Sequence, residues 1–406
     1  MSKILITGNG FDLFHHLPTK YGHFMAIMTT IEGCNFSDEV SFEELFGRVF
    51  KIKFPDDYNS IIENYNTVNI KFDKDLLLNF KNNLVLNSWY KYYKGVLEIE
   101  TWIDFENELE KALEGISTVF NNLKNVPAIN FNFYDKNILK VFCEFEHFEF
   151  SEEISRESSR FCFSEKFLDS KNMRIKEDKV LKSMYDSLHN FTIIFNRYLV
   201  DIVDVFYKEF KINSKISFNE INKIYTSNYT PTLEKLYNIN KANIIYFHGK
   251  ISKDDTNQNL ILGVSEITGK VKENKMYNFS KQFQKIIHSI NYKFIEIPKQ
   301  KNNLEETIFY IIGHSLDKSD KEYVLDLFKF LENDTNKKSK ICVFYYNYLD
   351  RESKLKNLFH VVGELIISEM NKEGRLYFTE LTDENLIIEF NKKLEGRKIN
   401  NNISYF

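Results

Sequence analysis

The chain has 406 residues, more than one small domain needs and enough for a core of about 200–250 residues plus a sizeable insertion. Its 43% apolar content supports a buried core and excludes general disorder, and 38 Phe and 23 Tyr against 14 Gly and 5 Pro favour long helices over a many-turned β-sandwich. The net charge of −4 gives no global attraction to nucleic acid, and Cys34, Cys143, Cys162 and Cys342 form no CxxC pair, which excludes a zinc ribbon and suits a reducing compartment.

The chain opens on a short apolar run, 3–7 (KILIT), that stops at Gly8 and reads as a buried strand entering a tight turn. That run is too short for a signal peptide, and no stretch approaches the roughly 20 apolar residues of a membrane span, so a soluble, cytoplasmic protein is expected. A helix is expected from Tyr21 to Thr30, with Phe24, Ile27, Met28 and Ile31 on one face.

Residues 34–215 carry no second strand–glycine unit and are mostly helical in spacing. Helices are expected over Leu76 to Trp89, along the stripe Trp102, Phe105, Leu109 and Leu113, and as one long element through Met184, Leu188, Phe191, Phe195, Tyr198, Ile202 and Val205. The polar run Ser151 to Ser159 predicts a loop, and Val141 to Phe150 a short strand whose alternation slips.

From Asn222 onward short apolar runs recur at 224–226, 244–247, 260–262, 308–312 and 341–346, separated by helical segments at 230–238, 279–290, 320–332 and 352–370. Strands alternating with helices imply an α/β, Rossmann-like, mostly parallel sheet with helices on both faces. Residues 1–33 and 216–406 would form this nucleotide-binding core, with 34–215 as a large, mainly helical insertion.

Four motifs fall at strand ends, where open α/β sheets bind ligands. Gly8-Asn9-Gly10 is a GxG turn that lets the backbone bend and an anion approach its N–H groups, although Leu13 stands where a dinucleotide fingerprint has its third glycine. Asp12 would repel phosphate; it suits a ribose hydroxyl, a water or a helix cap. His15, His16 and His23 fit no metal-binding spacing, no metal is expected, and Thr19 is a candidate N-cap. Asn228, in Ser227-Asn228-Tyr229-Thr230, offers donor and acceptor groups for a ribose or water, or simply forms a turn. His248, followed by Gly249, has the chemistry of a general base. Gly313-His314-Ser315-Leu316 is a second glycine turn, in which Ser315 could bind a phosphate or sugar and Asp320 could cap or orient. It is no nucleophile elbow, because position 317 is Asp.

These residues carry a resemblance. Gly8 to Leu13 followed by His16 to Tyr21, Trp102 to Glu106, Ser227 to Thr230 with Leu233-Glu234, His248-Gly249, Asn278 to Gln284 with Lys281, and Gly313 to Leu316 with Asp320 and Tyr323 resemble the AbiH family of bacteriophage abortive-infection proteins. More distantly, the motif order is similar to sirtuin-like NAD-binding domains. That similarity implies catalytic roles for Asn228 and His248 and a nucleotide held by the two glycine turns. The zinc-binding cysteines of deacetylating sirtuins are absent, which argues against protein deacetylation.

The expected activity is hydrolysis of the N-glycosidic bond of NAD or a related nucleotide. His248, Asn228 and Asp12 would be catalytic, and Gly8, Asn9, Gly10, Gly313, Ser315 and Asp320 would bind the nucleotide. Glu106 would either reach the crevice or lie on the surface. The expected partner is a small-molecule nucleotide, with a phage-derived trigger and a homo-oligomer left open and membrane or nucleic-acid binding not favoured. A nuclease and a non-catalytic nucleotide sensor are the competing readings.

Overall fold

In the computed structural model of the chain, residues 2–36, 39–97, 104–122, 128–130, 136–150, 160–169, 174–211, 216–255, 258–267, 269–290, 294–295 and 306–392 are described. Six parallel strands form the central sheet: β1 (Ser2–Thr7), β2 (Lys223–Thr226), β3 (Ile244–Tyr246), β4 (Thr307–Ile312), β5 (Lys340–Tyr345) and β6 (Leu376–Glu380). Their spatial order is β6-β5-β4-β1-β2-β3. This is the doubly wound order of a dinucleotide-binding sheet, with the topological switch point between β1 and β4.

The strand sequences explain the layering. Every residue of β4 is buried, and β1 and β5 are nearly as apolar, as expected where helices cover both faces. Ile6, Phe309, Ile311 and Val343 pack on one face with Leu327, Phe328 and Leu331. Leu5, Tyr310, Ile312 and Phe344 pack on the other with Leu386 and Phe390. The alternation along each strand therefore sends neighbouring residues into opposite layers.

The helices that bear on the site are α1 (Asn9–Phe14), α2 (Tyr21–Gly33), α3 (Phe105–Asn122), α4 (Glu177–Arg197), α5 (Thr232–Tyr237), α6 (Lys281–Ile287) and α7 (Lys321–Asn333). A third hydrophobic cluster gathers most of the chain between β1 and β2, the segment expected to be an insertion. It includes Phe24 and Ile27 of α2, Trp89, Phe105, Leu109, Phe191 and Phe195, and also Leu260, Leu262 and Phe279 from beyond β3. The segment that carries Lys281 is thus packed into the insertion's core although it lies between two strands of the sheet.

Several expected elements differ in form. The run at 260–262 is buried but joins no strand. Residues 141–150 divide into the end of a helix (Lys136–Glu144) and a short strand (Phe148–Phe150), which explains the slipped alternation. The long stripe through Val205 is α4 followed by a π-turn (Tyr198–Val203) and a 3₁₀ turn (Asp204–Lys208). The segment at 352–370 is two helices, Tyr348–Val361 and Glu364–Lys372, broken at Gly363, whose φ of 107° no helix accommodates. Lys20 rather than Thr19 occupies the N-cap position of α2, with no side-chain capping bond. Trp102 and the run Ser151 to Ser159 lie outside the described residues. Among the described residues no helix is long and apolar enough to cross a membrane.

Candidate active site

The sheet register sets four chain ends side by side. Thr7 pairs with Thr226 on one side and Ile312 on the other, and Thr226 pairs with Tyr246. Residues just past these positions therefore share the C-terminal edge of the sheet: Gly8-Asn9-Gly10, Ser227-Asn228, Phe247-His248 and Gly313-His314. Thr7 and Thr226 tie the edge together through their hydroxyls at 2.8 Å, and Thr226 Oγ1 also accepts the Asn228 N–H at 3.0 Å.

The two glycine turns meet at the switch point. Gly10 N–H donates to Gly313 O at 2.8 Å, Gly8 N–H to Ile312 O at 2.9 Å and Phe11 N–H to Gly8 O at 2.8 Å. A Cβ on Gly10 would sit 2.6 Å from Gly313 Cα, and one on Gly313 would sit 2.1 Å from Phe11 N. Gly313 also has φ of +67°. The glycines thus let one turn cross the other with no side chain between them. Asn9 is exposed and donates to Thr19 O at 3.4 Å.

Asp12 lies inside α1, 1% exposed, rather than at its cap. It accepts hydroxyl hydrogen bonds from Thr230 at 2.5 Å and Thr232 at 2.6 Å. Burial pushes its carboxyl up to about 6, while the bonds from Thr230, Thr232 and Asn228 pull the other way. The Asn228 amide lies close enough to Asp12 to help lower that carboxyl, and its buried Oδ1 has no hydrogen-bond partner among the described residues.

Asp320, at the start of α7, accepts from two imidazoles: His248 Nε2 at 3.1 Å and His314 Nε2 at 3.1 Å. Burial would raise this carboxyl, but the two histidine bonds and the charge of Lys281 hold it well below its ordinary value. A carboxylate only accepts, so both Nε2 atoms carry the hydrogen. His314 agrees independently, since its Nδ1 accepts the Leu316 N–H at 3.0 Å. Burial, and then the nearby Lys281 charge, push His248 down to about 4. It is therefore neutral near pH 7, with a lone pair on Nδ1, and that buried atom has no hydrogen-bond partner among the described residues.

The insertion reaches this cluster. Glu106, in the first turn of α3, pairs with Lys281 of α6 at 2.6 Å; the two side chains are 16% and 6% exposed. Asp104 caps that turn by accepting the Glu106 N–H at 2.9 Å. Burial lowers the Lys281 ammonium, but the Glu106 and Asp320 carboxylates overcome this and hold it above the ordinary lysine value. Lys285, one turn on, donates to the Tyr323 hydroxyl, and burial together with Lys281 pushes it down to about 8. Tyr323 stacks on Phe247 with ring centroids 4.2 Å apart, which fixes the backbone next to His248.

The expected residues thus fall into two groups. Gly8, Gly10, Asp12, Asn228, His248, Gly313 and Asp320 converge on the strand ends. Ser315 is exposed and gives its hydroxyl to Asp317 at 2.9 Å, outside the buried cluster. His15 bonds Phe11 O at 2.7 Å and the Tyr237 hydroxyl at 2.6 Å, a core role. His314 and Lys285 were given no role by the sequence reading. The His-x-x-x-x-x-Asp spacing from His314 to Asp320 loops through a 3₁₀ turn, which no simple periodicity exposes.

A comparison with known families matches residues 4–346 to the family described as Bacteriophage abortive infection AbiH. No curated protein and no solved structure matches the chain. The match spans β1 through β5 and contains every residue of the cluster just described. The chain therefore belongs to the AbiH family and functions in bacteriophage abortive infection.

Proposed function

We propose that this protein binds NAD or a related nucleotide across the C-terminal edge of its sheet and hydrolyses the N-glycosidic bond. One observation carries the reading: two buried acceptors, His248 Nδ1 and Asn228 Oδ1, stand at adjacent strand ends without partners among the described residues. A buried acceptor left unpaired costs about 1–3 kcal/mol, so such a pair is held for something that donates hydrogen bonds. A ribose diol or an attacking water is such a donor. The switch-point position and the similarity of motif order to sirtuin-like NAD-binding domains support the same ligand class.

In this reading the bond between C1′ and the nicotinamide nitrogen breaks, and its electron pair leaves with the ring nitrogen, which loses its positive charge. Water captures the oxocarbenium-like carbon, and its proton passes to His248 Nδ1. Asp320 holds the imidazole so that Nδ1 is the basic atom. Asn228 orients the water or the ribose, and Asp12 in turn orients the Asn228 amide. The products are ADP-ribose, nicotinamide and a proton.

The test is turnover of a fluorescent NAD analogue by the purified chain, beside His248→Ala and Asn228→Ala. Nucleotide profiling of cells expressing the same three proteins accompanies it. Loss of turnover in both variants with the wild type active is expected. Turnover independent of both residues would remove the mechanism, and tight NAD binding without turnover would select a nucleotide sensor instead.

A further inference from the structure

A nucleotide brings phosphates, and the glycine turns are poorly placed to hold them. The Gly8, Gly10 and Phe11 N–H groups are already donated to Ile312, Gly313 and Gly8 carbonyls. Asp12 lies just behind them. Positive charge beside Asp320 and His248 comes instead from α6. Lys281 is 5% exposed, and a cation buried that deeply survives only with a counter-charge. The carboxylate that answers it, Glu106, arrives from the insertion and sits among other acids. Asp320 and Asp104 both repel it, and burial pushes its carboxyl up to about 7. Asp320 itself is committed to two imidazole N–H donors.

We propose that Lys281 and Lys285, on one face of α6, form an anion subsite for the phosphate groups of a nucleotide, and that Glu106 is a resident stand-in which the ligand displaces. Residues i and i+4 of a helix point the same way, so the two ammonium groups can grip one dianion. Burial first and then the Lys281 charge depress Lys285, as expected of two ammonium groups close together on one helix face. A phosphate dianion offers Lys281 more charge than Glu106 does and adds acceptor oxygens for Lys285 and the Tyr323 hydroxyl. Once released, Glu106 has a home in the first turn of α3, where the helix dipole favours a carboxylate. Only the identity of the anion rests on the nucleotide reading; the subsite rests on the α6–α3 geometry.

Calorimetric titration of the full chain tests this, with NAD, nicotinamide riboside and inorganic pyrophosphate as probes. Glu106→Gln should bind NAD and pyrophosphate about tenfold more tightly than the wild type, because a competing carboxylate is gone. The double variant Glu106→Gln/Lys281→Met removes both buried charges together, so it should fold and lose pyrophosphate binding. Nicotinamide riboside, which has no phosphate, should bind all three proteins alike. Should Glu106→Gln fail to fold, Glu106→Asp, with its shorter reach to Lys281, replaces it with the same expected direction. No gain in Glu106→Gln, or pyrophosphate binding retained in the double variant, overturns the subsite. Failure of both NAD and nicotinamide riboside to bind, with Lys281-dependent pyrophosphate binding intact, instead retires the nucleotide reading and leaves the subsite standing.

Discussion

Replacing Asp12 by asparagine should stabilise the protein at neutral pH and not at acid pH. Asp12 is 1% exposed, and its carboxyl is shifted from 3.8 to about 6, with burial the largest cause. Below about pH 3 the group is neutral in the folded and the unfolded chain, so it contributes no difference. Between 4 and 6 the unfolded chain ionises first, and the folded state loses stability as pH rises. Above 6 both states are ionised and the loss is complete, at about 3 kcal/mol. The amide of the Asp12→Asn variant never ionises and escapes that cost. It has its own penalty, because Thr230 and Thr232 donate to different carboxyl oxygens and the amide puts a donor in place of one of them, and Tyr207 also bonds Thr232 at 2.7 Å. That penalty is about 1 kcal/mol and independent of pH. Urea unfolding of both proteins at pH 4 and pH 7.5 separates the two effects, since every other group titrates alike in each. The stability difference should move by about 2.5 kcal/mol in favour of Asp12→Asn between the two pH values, since a small part of the loss is already present at pH 4. A difference that stays constant, or moves the other way, would refute the claim that burial dominates this carboxyl. A retained cost of this size at a site with orphaned acceptors is what a functional carboxylate looks like.

His248 gives the opposite slope. Its folded value of about 4 lies below the ordinary 6.5, so its contribution is whole above pH 6.5 and is lost as pH falls through 6.5 toward 4. Denaturant unfolding across that window should show about 3 kcal/mol of this acid loss in the wild type and none of it in His248→Gln; an equal slope in both would sink the assignment. Gly313→Ala and Gly374→Ala share a φ of +67°, but only the first drives a Cβ into backbone, 2.1 Å from Phe11 N, whereas the second meets nothing within 4 Å among the described residues. Gly374→Ala should cost about 1–2 kcal/mol and Gly313→Ala about 3 kcal/mol more by thermal unfolding; equal losses would mean that the two turns do not cross in contact. Asp320→Asn offers one acceptor to two imidazoles. His314 is pinned by the Leu316 N–H, so His248 is the ring whose tautomer should flip, placing hydrogen on Nδ1. NAD turnover should then fall while calorimetric NAD affinity persists, and parallel loss of both would assign Asp320 to binding rather than to orienting the base.

The local pattern alone determined a good deal. The apolar run 3–7 ending at Gly8 specified a buried strand and a turn. The recurrence of short β-branched and aromatic runs after Asn222 specified parallel strands between helices, because only a sheet covered on both faces needs runs without alternation. Strand-end polar residues such as Asn228 and His248 were legible for the same reason: chain direction and strand end are sequence properties, and doubly wound sheets bind ligands there. Side-chain partnership was a different matter. Nothing in the spacing of Glu106 and Lys281 reveals that an insertion helix and a loop helix 175 positions later close on each other at 2.6 Å. Nor does it show that Leu260 and Leu262, read as a strand of the sheet, and Phe279, read as the start of a helix beside it, belong to the insertion's core. The glycine turn looked open to a ligand because its nearest neighbour, Gly313, is distant in sequence, and only folding brings that backbone against it. Hydrogen-bond direction, orphaned acceptors and shifted carboxyls depend on which groups meet and how far water is excluded, so the tertiary structure alone decided them.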